Sequence, residues 1–172
     1  IDLIKQIDEM NNGQYLYEET RNSPSSFCIG GAGYPEKHFE AMNLKSDLKH
    51  LKEKVDAGAE FIVTQLFYDN KKFFEFVDKC RAIGIQVPII PGLKPITNLR
   101  HLSFIPKFFN TNFPEEFSNE LEKCKSNEEV KKIGTEWAIE QSKELINYGV
   151  PVLHFYTMGK GEAVKNIASE IF

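Results

Sequence analysis

The sequence has few cysteines, no long hydrophobic run and no excess of basic residues, and each absence excludes a class of protein. Its three cysteines, Cys28, Cys80 and Cys124, are far apart and lack metal-ligand spacing, so we expect reduced thiols in a cytoplasmic protein without disulfides or bound metal. No apolar run approaches the roughly 20 residues of a membrane span, and no signal peptide is visible, so no membrane association is expected. The net charge of −4 gives no basic field that would attract nucleic acid.

What is present is a chain of ordinary globular composition. With 172 residues, 41% of them hydrophobic and 27% charged, it is long enough for one domain with a core. No linker, repeat or low-complexity segment divides residues 1–172, so a single domain is expected. The chain begins at Ile1 inside an amphipathic helical pattern, without a methionine or a helix cap, which indicates a fragment of something longer.

Strands and helices alternate along the chain. Helices are predicted at about 1–11, 45–57, 71–84, 127–148 and 161–172, strands at about 26–31, 59–69, 86–93 and 150–157, and an irregular, partly helical segment at 97–125. The predicted strands are almost continuously apolar, which is typical of a parallel sheet covered on both faces. The α/β order therefore predicts either an open doubly wound sheet or a (β/α)8 barrel, of which four strands are half.

The segment "GAGYPEKH", residues 31–38, follows the first predicted strand and is the first candidate site. Ligands of parallel α/β folds gather at the carboxyl ends of the strands. The glycines allow a ligand to approach the backbone, Tyr34 offers a stacking face and His38 offers a hydrogen bond. The segment is not the dinucleotide-binding fingerprint. A tight loop whose tyrosine packs on the rim explains the pattern equally well.

The next two elements carry further candidates. Asp47, His50 and Lys54 lie on one face of a predicted helix, where they can bind ribose hydroxyls, a base edge and phosphate oxygens. A solvated face with paired charges is the alternative. Gln65 lies near the carboxyl end of the second strand, among apolar residues, and its amide needs partners. Those partners are either a heterocycle with adjacent donor and acceptor groups or the neighbouring backbone.

The C-terminal part of the chain offers weaker candidates. His154 and Tyr156 share one face of the fourth predicted strand and are expected to be buried packing residues. Lys160 and Glu162 follow in a loop and can cap the last helix. The sequence contains no Ser/His/Asp set, no zinc motif and no P-loop.

Four stretches of the sequence, taken together, resemble the methylenetetrahydrofolate reductase family. They are "GAGYPEKHFEA", "DLKHLKEKVDAGAEFIVTQLFYD", "PIIPGLKPI" and "GVPVLHFYTM", and the match runs in order from about Phe27 to the end of the chain. The resemblance implies a (β/α)8 TIM barrel that holds FAD, with this chain supplying roughly strands 5–8 and their helices. It further implies reduction of 5,10-methylenetetrahydrofolate to 5-methyltetrahydrofolate by NADH or NADPH, in one-carbon metabolism and methionine biosynthesis, by a homo-oligomer.

The resemblance also implies roles for individual residues. It assigns cofactor binding to Tyr34, His38, Ala41, Asp47, His50 and Lys54, and substrate binding to Gln65, His101 and Lys160. Gln65 would contact the pterin of folate, and the nicotinamide when that occupies the same place. His101 stands in "PITNLRH" where many bacterial members have glutamine, and Lys160 stands in "YTMGK" where they have arginine. The family's acidic groups lie on strands that this chain lacks, so no catalytic residue is expected within it.

Two alternatives stay open. A truncated half-barrel with exposed edge strands would be catalytically inactive and would self-associate without flavin. A different flavin-dependent barrel reductase, acting on another pterin or one-carbon substrate, is the second.

Overall fold

The computed structural model describes residues 1–15 and 23–172, which form four strands and seven helices. The elements are α1 Asp2–Asn11, β1 Gly30–Gly33, α2 Leu44–Asp56, β2 Phe61–Leu66, α3 Asn70–Ala82, β3 Ile89–Leu93, α4 Arg100–Phe109, α5 Glu115–Leu121, α6 Asn127–Asn147, β4 His154–Phe155 and α7 Glu162–Ile171. The strands pair in the order β1-β2-β3-β4, and every pair is parallel. Consecutive parallel strands joined by helices are the arrangement of the TIM-barrel family, so the predicted fold class is confirmed. The numbering of these strands as 5–8 stays a prediction.

Helices α2 and α3 begin and end at local signals in the sequence. Asn43 and Ser46 form a capping box at the start of α2, in which the Asn43 side chain accepts from the Ser46 N–H at 2.9 Å. Gly58 and Gly84 follow α2 and α3 with φ angles of +115° and +82°, which glycine adopts without strain. In the described ranges, no helix has both the length and the apolar character that crossing a bilayer requires.

All four predicted strands differ from the structure in their bounds. Those predicted at about 59–69 and 86–93 are shortened to β2 and β3, and the first and fourth differ most. β1 begins at Gly30 instead of residue 26, because Phe27 is exposed and the contact with the neighbouring segment starts at Ile29, whose N–H donates to the Glu60 carboxylate. The strand predicted at 150–157 is reduced to His154–Phe155, the two residues that pair with Gly92 and Leu93 of β3 in the described residues, and Pro151 has no N–H with which to extend the ladder. The segment 97–125, expected to be irregular and partly helical, contains the helices α4 and α5.

The hydrophobic core has two parts. The first lies between the sheet and helices α2 and α3, and its buried members include Leu48, Leu51, Ile62, Phe73, Phe76, Cys80, Ile89 and Leu93. The second lies under α4, α5 and α6, and its buried members include Leu66, Tyr68, Ile96, Ile105, Phe117, Leu121 and Val130. Burial at about 25 cal/mol per Å² of apolar surface makes these two clusters the main source of stability.

Helix α6 packs unusually closely on the chain that follows β3. A Cβ atom on Gly134 would lie only 2.0 Å from the Ile96 carbonyl oxygen, so this crossing has no room for a side chain. One turn later, Trp137 stacks on Phe117 with a centroid separation of 4.4 Å, and its indole N–H donates to the Tyr68 carbonyl at 3.1 Å. These contacts hold the second part of the core against the carboxyl end of the sheet.

Candidate functional site

The candidate site lies on the face of the sheet opposite to its helices. Along β2, Ile62, Thr64 and Leu66 are buried, whereas the alternating Phe61, Val63 and Gln65 are half-buried. The side chains of a strand point alternately to its two faces, so Gln65 lies on the open face near the carboxyl end of β2. At the other end of that face, the Phe61 ring lies over Gly30, where a Cβ would meet it at 2.4 Å.

Four of the predicted cofactor residues lie together beside β1. The Tyr34 and His38 rings meet edge to face, with centroids 4.5 Å apart. The Asp47 carboxylate accepts from the His38 backbone N–H at 2.8 Å. The Lys54 ammonium donates to the Ala32 carbonyl at 3.0 Å and lies 6.0 Å from the centre of the Tyr34 ring. Helix α2 therefore presents a carboxylate to the loop that follows β1 and an ammonium to the β1 backbone.

Burial perturbs the titration of two groups in this cluster. It lowers the pKa of Lys54, against the opposing effect of the Asp47 carboxylate. It also raises the pKa of Tyr34, and the charges of Asp47 and Glu40 act in the same direction. A cation that is partly withdrawn from water binds an anion more strongly than a fully solvated one.

The other two predicted cofactor residues have different surroundings. The Ala41 carbonyl accepts from the Lys37 ammonium at 2.7 Å, and the same ammonium bonds the His38 carbonyl at 2.9 Å, so Lys37 closes the loop on itself. His50 is exposed, and its Nδ1 lies 3.1 Å from a Glu53 carboxylate oxygen. The structure therefore places His50 on the same helix as Asp47 and Lys54 but outside their cluster.

A contact that sequence reasoning missed ties this loop to the segment after α4. The Glu36 carboxylate accepts from both the side-chain amide of Asn112, at 2.8 Å, and its backbone N–H, at 3.2 Å. Burial raises the pKa of Glu36, while the two hydrogen bonds from Asn112 oppose that shift. Because 76 residues separate the two partners, no local sequence pattern indicates the contact.

One of the two polar atoms in the Gln65 side-chain amide has a backbone partner. Its Oε1 accepts from the Leu66 N–H at 3.0 Å. In the part of the chain that the structure describes, no hydrogen bond is found for its Nε2, so two N–H donors remain for a ligand on the open face. Both interpretations of Gln65, backbone partner and heterocycle partner, are therefore compatible with its geometry.

The predicted substrate residues His101 and Lys160 lie in one pocket of about 230 Å³ at the carboxyl ends of β3 and β4. Its lining consists of Lys94, Pro95, Thr97, Asn98, His101, Tyr156, Thr157, Met158, Lys160, Ala163 and Val164. The lining contains two lysines and a histidine but no carboxylate, so it favours an anion. Sequence reasoning missed Lys94, although its position directly after a parallel strand is one where ligands gather.

Two of the larger cavities, of about 760 and 820 Å³, lie among the helices and hold none of the predicted site residues. The first is rich in carboxylates and lies near α5 and α6, and the second follows the groove between α2 and α3. The first includes Tyr68 and Asp69, which follow β2, but neither cavity includes Gln65 or the cluster beside β1, so size alone does not identify the site.

Two expectations for the C-terminal part are corrected. His154 was expected to be buried but is exposed, because β4 is short and its open face has no cover in the described residues. Glu162 does not cap α7: it is the first residue of that helix and pairs with Lys131 at 2.8 Å, and the N-cap is Gly161.

The surroundings of His101 in this pocket predict an imidazole with a lowered pKa. Burial lowers the pKa of His101, and the charges of Lys94 and Lys160 lower it further. The folded protein then favours the neutral His101 ring. The contribution of this ring to stability is present above the ordinary histidine pKa and is lost as pH falls. NMR titration should give His101 a lower pKa than exposed histidines, and Lys160→Met should raise it. Lys165→Met, which removes an exposed charge on α7, should leave it unchanged. A His101 pKa that ignores Lys160→Met would contradict this account of the pocket.

Comparisons with known proteins agree on one family. A family model described as methylenetetrahydrofolate reductase matches residues 2–171. Methylenetetrahydrofolate reductase (NADH) 1 of Arabidopsis thaliana is 46% identical over 142 residues, covering 77% of this chain and 24% of that protein. Methylenetetrahydrofolate reductase 1 of Schizosaccharomyces pombe is 43% identical over 146 residues, covering 84% of this chain and 24% of that protein.

A bacterial relative and a solved structure extend the comparison. The 5,10-methylenetetrahydrofolate reductase of Salmonella typhimurium is 37% identical over 139 residues, covering 80% of this chain and 47% of that protein. An uncharacterized protein from Clostridium thermocellum, which binds two copies of 5-methyl-5,6,7,8-tetrahydrofolic acid, superposes with a TM-score of 0.54 at 21% identity, covering 83% of this chain and 51% of that one. The chain thus spans from a quarter to a half of the length of the proteins it matches.

Proposed function

Since the chain belongs to the methylenetetrahydrofolate reductase family, we propose that its protein reduces 5,10-methylenetetrahydrofolate to 5-methyltetrahydrofolate with NADH or NADPH and a bound FAD. The observation that carries the proposal is the convergence of four side chains beside β1, the strand that pairs with β2 and its Gln65. The four residues are Tyr34, His38, Asp47 and Lys54. Relatives are named for NADH and for NADPH, so either nicotinamide is a candidate. In this proposal residues 1–172 form the C-terminal half of the barrel domain.

The residues beside β1 fit a flavin dinucleotide. On the open face this strand carries only Gly30, which the Phe61 ring covers, and the exposed Ala32, so a large planar group can approach the backbone closely at Ala32. Lys54 would meet phosphate oxygens, Asp47 would accept from hydroxyl groups, and Tyr34 offers a ring for stacking. When bound, FAD supplies the hydride chemistry, while the chain binds and orients the partners.

Gln65 and the small pocket fit the two ends of a folate. The free Nε2 of Gln65 would donate to acceptors of the pterin heterocycle. Lys94 and Lys160 would attract the carboxylates of the glutamate part. The His101 ring would line the same region, with its two nitrogens already bonded to the Thr97 backbone N–H and the Asn98 side chain. Opening the folate ring requires a proton donor. The resemblance assigns that role to an acidic group outside residues 1–172.

Titration of the purified chain with FAD, followed by quenching of flavin fluorescence, tests the cofactor assignment. We expect saturable binding that Lys54→Ala weakens about tenfold or more, because a charge-assisted contact is lost. The matched control is Lys52→Ala on the same helix, whose ammonium pairs with Asp56 and points away from β1. It should leave the affinity unchanged. Equal affinities for all three proteins would overturn the assignment of Lys54.

The second candidate is an inactive half-barrel that self-associates without flavin. It is favoured by the open sheet: in the described ranges, β1 and β4 each pair with a single strand. Unpaired edges and a half-exposed face bind a second copy readily. Size-exclusion chromatography beside the titration separates the two candidates. A folded, self-associated chain that shows no FAD binding would favour the second candidate and would leave the family assignment standing.

A further inference from the structure

Strand β2 contains an irregularity between Val63 and Leu66, the stretch that includes Gln65. In its pairing with β3, Val63 aligns with Ile90 and Leu66 aligns with Gly92, so β2 uses three steps where β3 uses two. The extra residue disrupts the regular ladder at Thr64 and Gln65. Bulges of this kind are common beside active sites, where they redirect a side chain. The conformation of Gln65 therefore depends on what holds the bulged backbone.

Two groups outside β2 hold it. The Tyr156 hydroxyl donates to the Thr64 carbonyl at 2.9 Å, and the Gly92 backbone N–H donates to the Thr64 hydroxyl oxygen at 2.9 Å. Tyr156 directly follows β4, so its ring crosses β3 to reach β2. The crossing is possible because Gly92 has no side chain: a Cβ there would lie 2.7 Å from the Tyr156 ring and 2.1 Å from the Thr64 carbonyl oxygen.

We propose that Tyr156 is a positioning residue that fixes the bulged Thr64 carbonyl and thereby directs the free amide donors of Gln65 toward the ligand. The inference rests on the proposed function for the identity of that ligand, a reduced pterin. It assigns to Tyr156 a role distinct from contact with the pocket that it also lines. Tyr156 acts through Gln65, so removing its hydroxyl should have little effect once the Gln65 amide is gone.

A double-mutant cycle in the full-length protein tests this coupling. Tyr156→Phe removes only the hydroxyl and should lower kcat/KM for methylenetetrahydrofolate about tenfold, the fold-change that corresponds to one lost hydrogen bond. In a Gln65→Ala background, the same substitution should cost less than about twofold. Thr111→Val is the matched control, because the Thr111 hydroxyl donates at 3.1 Å to the Leu66 carbonyl of the same strand. Any effect of Thr111→Val should be on the stability of the fold, and kcat/KM should stay unchanged.

A second measurement does not depend on turnover. The side-chain amide signals of Gln65, assigned in ¹⁵N NMR spectra by their loss in Gln65→Ala, should shift or broaden in Tyr156→Phe and stay in place in Thr111→Val. Unchanged amide signals in Tyr156→Phe, or independent effects of the two substitutions on kcat/KM, would overturn the positioning role. A wild-type protein that ignores methylenetetrahydrofolate while its Gln65 amide still responds to Tyr156→Phe would overturn the proposed substrate instead.

Discussion

Replacing Gly134 with alanine is expected to lower the free energy of unfolding by about 3 kcal/mol or more, although alanine is the better helix former. A methyl group at this position would meet the Ile96 carbonyl oxygen at 2.0 Å and its carbonyl carbon at 2.8 Å. Both atoms belong to backbone, so no rotamer change can relieve the overlap. Helix α6 must move away from Ile96, which opens the contacts around it in the second part of the core.

The comparison that isolates this effect is Gly161→Ala. Gly161 is the N-cap of α7, with a φ of −87°, and no atom of the described residues lies within 4 Å of the place that an added methyl group would take. The change should therefore cost less than about 1 kcal/mol. Urea denaturation of the purified variants gives both values. If Gly134→Ala unfolds at the wild-type urea concentration, or at a higher one, then α6 and Ile96 are not packed as described.

Replacing Gln65 with alanine is expected to lower kcat/KM for methylenetetrahydrofolate about a hundredfold, which corresponds to the loss of two hydrogen bonds to the pterin. The affinity for FAD should stay near the wild-type value, because the cofactor cluster lies on α2 and on the loop after β1. Steady-state kinetics of the full-length protein, with flavin content measured on the same samples, would give both quantities.

Gln86→Ala provides the control for this substitution. Gln86 is an exposed glutamine that lies before β3, at the opposite end of the strands from Gln65, and it undergoes the same chemical change. Its removal should leave kcat/KM unchanged. A Gln65→Ala protein with full activity would mean that the Gln65 amide serves only its backbone contact with Leu66, which was the alternative interpretation of this residue.

The helices and the second strand could be predicted because their signals are local. Leu48 and Leu51 are spaced for one buried face of α2, and Gly58 and Gly84 end helices in a backbone conformation that favours glycine. The pairing of four parallel strands followed from their continuous apolar character and the helices between them. The ends of β1 and β4 could not be predicted, since they depend on which backbone groups find partners in the sheet.

The candidate site was predictable in part for the same reason. Tyr34, His38 and Gln65 follow or end parallel strands, where the fold class alone directs attention. The contact of Tyr156 with Thr64 spans 92 residues and requires the register of three strands, and the contact of Glu36 with Asn112 spans 76. Neither leaves a periodic or compositional signal in the sequence. The exposure of His154 likewise follows from the length of β4, which sequence patterns overestimated.

The sole tryptophan gives the chain an internal optical reporter of one half of its interior. Trp137 is the only indole in the sequence, and it stacks on Phe117 in the second part of the core while donating to Tyr68. Its emission therefore reports on the packing of α5 and α6, and not on the first part of the core, between the sheet and helices α2 and α3. Flavins absorb at the wavelengths where indoles emit. Quenching of the Trp137 emission on addition of FAD would therefore show that the bound flavin lies within energy-transfer distance of α6.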